Sequence, residues 1–353
     1  MRSAAAAGAD GLLVTHPADV RYLTGFTGSS GALALTSTRA ALFTDGRYKM
    51  QAKQEAVSLR VVVEQKMAAA LAVEWMAKAG VRRCGFDSGQ TTVAMLDKLR
   101  GALPTGLKRG FFALLEAPIA RQRELKDADE VQRMRRAAAL GCRLFAGVMD
   151  HLRPGVMESR VAAELEFAAR TAGAEAMSFE TIVAGGPRSA MPHGKASQVK
   201  LPRRGFVTLD FGIVLEGYCS DMTRTLYLGK PSLRERDVYD SVLEAQQAAI
   251  ATVRAGVRCE EVDEAARSVL RKAKLDAYFS HSTGHGVGIE IHEGPRLSTR
   301  QKQILEAGMV ITIEPGVYLP GEYGVRIEDM VLVTKTGGEV LTAASPKQFQ
   351  SVA

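Results

Sequence analysis

The sequence predicts an α+β protein of two domains, a small α/β domain over residues 1–119 and a larger domain over 120–353 built from two related halves. Three observations predict it. Short β-rich runs alternate with helical stretches as far as Ala117-Pro118, a long amphipathic pattern opens just beyond, and the remainder echoes itself at a spacing of about a hundred residues.

In the first domain the β-rich runs are Gly11 to Thr15, Gly31 to Thr36, Arg60 to Glu64 and Arg82 to Asp87, with Met67 to Ala79 as a helical stretch between them. The amphipathic pattern predicts one helix from Glu124 to His151, with Val131, Met134, Leu140, Leu144, Phe145 and Val148 on its apolar face. Beyond it, Arg153-Pro154-Gly155-Val156 is echoed by Arg254-Ala255-Gly256-Val257, and the run Gly205 to Asp210 by Gly308 to Glu314. Each half therefore reads as helices followed by a strand ending on an acid. The two acids should face one another across a pseudo-two-fold axis.

Composition narrows the function classes. The chain of 353 residues is 46% hydrophobic and 24% charged, enough for sizeable cores. No apolar run approaches the roughly 18 to 20 residues that span a bilayer, and Asp10 interrupts the alanine-rich start, so neither a membrane nor a signal peptide is expected and the reading is cytoplasmic. Cys84, Cys142, Cys219 and Cys259 lie far apart and are expected as buried free thiols rather than a disulfide framework or zinc cluster. The net charge of +7 invites a nucleic-acid partner, but Arg121, Arg123, Lys126, Arg133, Arg135 and Arg136 sit among acids, as on a solvated helix face, and no such partner is expected.

The residues able to carry chemistry concentrate between 180 and 330. Phe206 to Gly212 and Tyr218 to Leu228 alternate as two strands of a hairpin, so Asp210 falls opposite Asp221 or diagonal to it, depending on the turn, and on one face either way. Like charges so placed are destabilising unless a cation sits between them. In the second half, Met309 to Ile313 ends at Glu314, and Val325 to Val333 alternates as one strand carrying Arg326 and Glu328 on one face. For Arg326 a simple salt bridge and a place in the site are both open.

Three of the six histidines, His281, His285 and His292, share one window in which Gly284, Gly286 and Gly288 permit close backbone approach and unusual dihedrals. His193 lies in a Gly/Pro-rich loop suited to display. His151 reads as a helix-end residue, and His16 has no evident partner. Asp210, Asp221, His285, Glu314 and Glu328 form a donor set for two divalent ions, for which hydrolysis is the best-served chemistry.

At these residues the sequence resembles the pita-bread metallopeptidase family of Xaa-Pro aminopeptidases, prolidases and methionine aminopeptidases. The resemblance rests on Leu209-Asp210-Phe211-Gly212, Ser220-Asp221-Met222-Thr223-Arg224-Thr225, the run His281 to Gly288, Ile291-His292-Glu293, Ile313-Glu314-Pro315-Gly316-Val317-Tyr318 and Gly324-Val325-Arg326-Ile327-Glu328-Asp329. The runs Val14 to Gly31 and Phe43 to Tyr48 resemble the creatinase/prolidase-type N-terminal domain of the proline-specific branch, with a first helix shorter than is usual there. The resemblance implies that 120–353 is the pita-bread catalytic domain. It makes Asp221 and Glu328 bridging ligands, puts Asp210 on one ion, and puts His285 and Glu314 on the other, with Glu314 also receiving a proton. It implies that His193 and His292 contact substrate or the tetrahedral intermediate, that His281 shapes a proline pocket, and that Arg326 and Tyr318 support the ligands. The expected function is that of an Xaa-Pro aminopeptidase, with an Xaa-Pro dipeptidase as the alternative and a non-catalytic binding module less favoured. The expected cofactors are two manganese ions, with cobalt, zinc or iron as substitutes, and the expected assembly is a homodimer.

Overall fold

The computed structural model describes residues 1–352. They divide into two compact units between Arg123 and Glu124.

The first unit is a six-stranded mixed sheet in the spatial order Arg60–Val63, Ala40–Thr44, Gly31–Thr36, Gly11–Val14, Cys84–Asp87, Phe112–Leu115. Period-two alternation sends successive residues into different cores. Leu13, Ala32, Ala34 and Phe43 pack with the helix Ala68–Lys78, whereas Leu12, Val14, Leu33 and Leu42 pack with Val20 and Ala52. Both faces are thereby covered, which is why these strands read as near-continuous apolar runs. Ala40–Thr44 and Phe112–Leu115 join the four expected strand regions as further members.

In the second unit the internal echo becomes a structural repeat. Helices Ala128–Val148 and Glu158–Thr171, 21 and 14 residues long, are matched by Leu233–Thr252 and Cys259–Lys272, 20 and 14 residues long. Gly155 and Gly256 occupy the same place between each pair, with φ of 86° and 93°, conformations that favour glycine. Their N–H groups donate to Leu201 and Leu305 at 2.9 and 2.8 Å.

Each half then contributes a sheet. The first runs in the order Ser351–Val352, Met222–Leu228, Gly205–Phe211, Ile182–Gly185, and the second Glu293–Leu297, Gly284–Gly286, Val310–Ile313, Asp329–Val333, Gly338–Val340. One core gathers Leu144, Val161, Leu165, Leu209 and Phe211, and another gathers Val242, Val262, Leu270, Ile311 and Ile313.

Four local expectations need correction. The expected helix from Glu124 to His151 is interrupted: Ala120–Glu124 is one short helix, Asp127 caps a new one at Ala128, and Met149–His151 is a 3-10 turn. Arg123 and Lys126 are buried rather than solvated, pairing with Asp19 at 2.8 Å and with Glu293 at 3.3 Å. The expected strand Val325 to Val333 is two strands in different sheets, Tyr323–Arg326 and Asp329–Val333, broken at Ile327-Glu328. Likewise Tyr218–Cys219 and Met222–Leu228 belong to different sheets, broken at Ser220-Asp221.

Candidate metal centre

The hairpin takes the diagonal register. Its turn is Glu216-Gly217, with both residues at positive φ (49° and 82°), the conformation of a two-residue hairpin turn. Asp210 pairs with Thr223, so Asp221, two residues earlier, is its diagonal neighbour. On the other sheet Ile313 pairs with Asp329, which sets Glu314 and Glu328 opposite one another as the strands end. Asp221 and Glu328 both sit where the chain leaves one sheet for another, so their backbones are free of a continuous ladder.

His285 lies on the short strand Gly284–Gly286. A Cβ at Gly284 would meet the Thr312 carbonyl at 1.9 Å, and one at Gly286 the Gly294 carbonyl at 2.0 Å. Close approach alone therefore requires these glycines, and no unusual dihedral is involved, since neither has positive φ. The His285 ring bonds the Gly286 carbonyl through Nδ1 at 3.0 Å, and its Nε2 faces Asp221 Oδ2 at 3.7 Å and Glu314 Oε1 at 3.6 Å. With Nδ1 as donor, Nε2 carries a free lone pair.

Asp210, Asp221, His193, His281, His285, His292, Glu314, Arg326 and Glu328 all line a single cavity of about 610 Å³. His193 and His292 are exposed in it, while His281 and His285 are half-buried. Tyr318 stands behind the lining, its hydroxyl bonded to His281 Nε2 at 2.9 Å and to Arg326 Nη1 at 2.8 Å. Arg326 also donates to Asp210 Oδ2, to the Pro192 carbonyl at 3.0 Å and to Thr223 Oγ1 at 3.1 Å, and Thr223 donates to Glu328 Oε2 at 2.7 Å. Arg326 thus lines the cavity and makes more contacts than a single salt bridge. His16 and His151 lie outside this lining, His16 at 3.5 Å from Asp19.

Several residues at the site were not anticipated from the sequence: Thr223 by its contacts, and Phe179, Glu180, Lys195 and Arg296 by their place in the cavity lining. Thr223 sits in the run that carries the resemblance, and its spacing from Asp221 was the available signal.

The electrostatics call for a cation. Burial, then the charges of Glu328, Asp210 and Glu314, push the Asp221 carboxyl well above its ordinary range. Burial and the charge of Glu328 do the same to Glu314, and burial with the charge of Asp210 lifts Glu328 to about 8. Burial alone would weaken the Arg326 cation, but Tyr318, Asp210 and Glu314 hold its pKa well above the usual value. Asp210 Oδ1 is buried without a hydrogen-bond partner. Ligand atoms of Asp221, His285 and Glu328 lie within 4.8 Å of one another. An orphaned oxygen, converging carboxylates and a prepared imidazole fit divalent ions, with oxygen and nitrogen donors and no thiolate.

Comparison with known proteins gives the lineage. Residues 132–335 match the model of metallopeptidase family M24, and residues 2–136 match that of the creatinase/prolidase N-terminal domain. The chain belongs to metallopeptidase family M24. This M24 chain is therefore a metallopeptidase that binds divalent metal, with a creatinase-type N-terminal domain ahead of the pita-bread fold. Its structure is similar to an Xaa-Pro dipeptidase from Bacillus anthracis (TM-score 0.95, 39% identity, 99% of this chain and 98% of that one). It is also similar to an X-Pro aminopeptidase from Thermotoga maritima (TM-score 0.90, 34% identity, 100% of both chains). An Xaa-Pro dipeptidase of Pyrococcus horikoshii is 34% identical over 334 residues, covering 94% of this chain and 92% of the relative. Among the described residues no helix is long and apolar enough to cross a membrane.

Proposed function

We propose that this M24 peptidase uses two metal ions to hydrolyse the bond between an N-terminal residue and a following proline. The observation that carries the reading is the convergence of Asp210, Asp221, His285, Glu314 and Glu328 in a cavity that also presents His193, His281 and His292. Asp221 and Glu328 would be shared between the two ions, Asp210 would hold one of them, and His285 and Glu314 would hold the other. Manganese is the proposed ion, with cobalt, zinc or iron as substitutes that the same donors accept. When bound, the ions supply an acidified water and a Lewis acid for the scissile carbonyl.

The chain's own groups do the rest. Glu314 is assigned to receive the proton of the attacking water. His292 and His193 offer N–H donors to the oxygen that gains negative charge. Partial desolvation at the cavity wall lowers the pKa of His292, so it serves as a neutral donor near pH 7. His281, lowered to about 4 by burial, is likewise neutral and is held against Tyr318, which favours a fixed wall for the proline ring over proton transfer.

The proline preference is supported by the names of the relatives from Bacillus anthracis, Thermotoga maritima and Pyrococcus horikoshii. Cleavage of longer Xaa-Pro peptides is the first reading. A specific observation favours the dipeptidase reading as well: the exposed Arg296 lines the same cavity, and its cation suits a free carboxylate, which directly follows the proline ring only in a dipeptide. The deciding experiment assays an Xaa-Pro dipeptide beside an Xaa-Pro tripeptide, using metal-free protein reconstituted with manganese, cobalt or zinc. Cleavage of both indicates the aminopeptidase, and cleavage of the dipeptide alone the dipeptidase. No cleavage with any ion sinks the reading. The same proposal includes a cytoplasmic homodimer, supported by four buried free thiols and by the family resemblance, with light scattering as the test of mass.

A further inference from the structure

Two consecutive residues of the strand Met222–Leu228 hold Glu328 at three points. The Glu328 N–H donates to the Thr223 carbonyl at 3.2 Å, Thr223 Oγ1 donates to Glu328 Oε2 at 2.7 Å, and Arg224 Nη1 donates to the Glu328 carbonyl. Successive side chains of a strand point to opposite faces, so Thr223 meets the carboxylate on the cavity side while Arg224 grips the peptide from behind.

Arg224 is itself locked in a closed knot. Its Nε donates to the Pro346 carbonyl at 3.1 Å, and its Nη2 donates to the Ser345 carbonyl at 2.9 Å and to Asp329 Oδ1 at 2.8 Å. Asp329 also accepts from Thr342 Oγ1 at 2.7 Å, Gln246 Nε2 at 2.8 Å and Lys347 Nζ at 2.7 Å. The side chains of Arg224 and Asp329 are 1% exposed, and that of Lys347 is 20% exposed. The chain between the strands Gly338–Val340 and Ser351–Val352 contains no further helix or strand, so bonds such as these fix its course.

As a device for stability alone, a buried ion pair is a poor choice, because apolar side chains of similar volume often serve as well or better. What apolar side chains cannot do is orient a peptide carbonyl. We propose that Thr223-Arg224, locked by Asp329 and by Lys347 of the C-terminal segment, is a positioning device that fixes Glu328 for a divalent ion. Lys347 thereby sets metal affinity without touching the ion. This rests on Glu328 being a metal ligand and not on the preference for proline.

The test is equilibrium titration of metal-free, full-length protein with manganese against a competing chromogenic chelator, comparing wild type with Lys347→Met, Lys347→Gln and Lys347→Arg. Lys347 is the residue to change because its loss leaves the Arg224–Asp329 pair closed and the chain able to fold, which circular dichroism checks. Lys347→Met should bind manganese roughly 5-fold more weakly, below the roughly 10-fold to 100-fold cost of losing a group that touches the ligand itself, because Lys347 acts on Glu328 only through Asp329 and Arg224. Lys347→Arg should restore most of the affinity, and Lys347→Gln should fall between. Folded Lys347→Met and Lys347→Gln proteins with affinities within twofold of wild type overturn the inference, even if their melting temperatures fall. A wild type that binds no manganese overturns it too. Weakened binding in a protein that cleaves no Xaa-Pro peptide upholds it and removes the substrate reading alone.

Discussion

A histidine that gives its Nδ1 proton to a carbonyl has one nitrogen left to offer, and His285 directs that nitrogen between Asp221 and Glu314. Around it, carboxyls that repel one another are packed where water cannot screen them, which is affordable only beside a cation. Asp221→Ala and Glu328→Ala should each remove bound metal and activity together, whereas His292→Ala should retain metal and lose turnover by at least about 100-fold. Metal analysis beside kcat separates the two classes, and full activity in either of the first two variants would refute the ligand assignment. His281 gives a pH prediction. Its pKa is about 4 when folded against an ordinary 6.5, chiefly through burial, so between those values the unfolded chain holds a proton that the folded chain lacks. Stability from keeping His281 neutral is present above about 6.5 and is lost as pH falls toward about 4. The melting temperature of wild type relative to His281→Gln should therefore drop over that window, and a constant difference would contradict it.

At the level of elements, three of the carboxylates sit where regular structure stops. Asp221 and Glu328 lie in gaps between strands of different sheets, and Glu314 just beyond a strand end. The alternating pattern through 218–228 and 325–333 was legible, but the gaps were not, because an alternating run looks the same whether or not its partner changes midway. The helix start at Ala128 was written in the sequence as Asp127 and Glu130, which form a reciprocal capping box. The apolar period extending back to Glu124 obscured it. Asp127→Ala should cost about 1 kcal/mol, read as a shift in the urea midpoint without a change in slope. The buried state of Arg123 and Lys126 had no local signal, since their partners Asp19 and Glu293 lie over a hundred residues away in the chain.

For the molecule as a whole, duplication supplies the geometry. Two helix pairs of matching length precede two sheets, and each sheet brings its terminal acid, Asp210 or Glu314, to the same cavity. A cavity with carboxylates and histidines together with an exposed arginine has polarity as well as chemistry. If Arg296 meets the carboxylate of a dipeptide, Arg296→Ala should raise KM for an Xaa-Pro dipeptide by about 10-fold, the loss of roughly 1.4 kcal/mol. It should leave kcat/KM for the corresponding tripeptide amide unchanged. Steady-state kinetics on the two substrates check this, and equal effects on both would assign Arg296 no part in reading a chain end.

The repeat in the larger domain was readable from the sequence by itself, as were the expectation of two domains, the five metal-ligating candidates and the four histidines worth watching. Each of these is carried by short-range pattern: alternation, glycine placement and the order of a few acids. Only the tertiary structure decided that Asp210 is diagonal to Asp221, that Arg326 spans Asp210, Tyr318 and Thr223, and that Arg224 is closed in by the C-terminal segment. The physical reason is that a strand fixes which face a side chain occupies, whereas its partner across the site is set by register and by contacts between residues about a hundred positions apart.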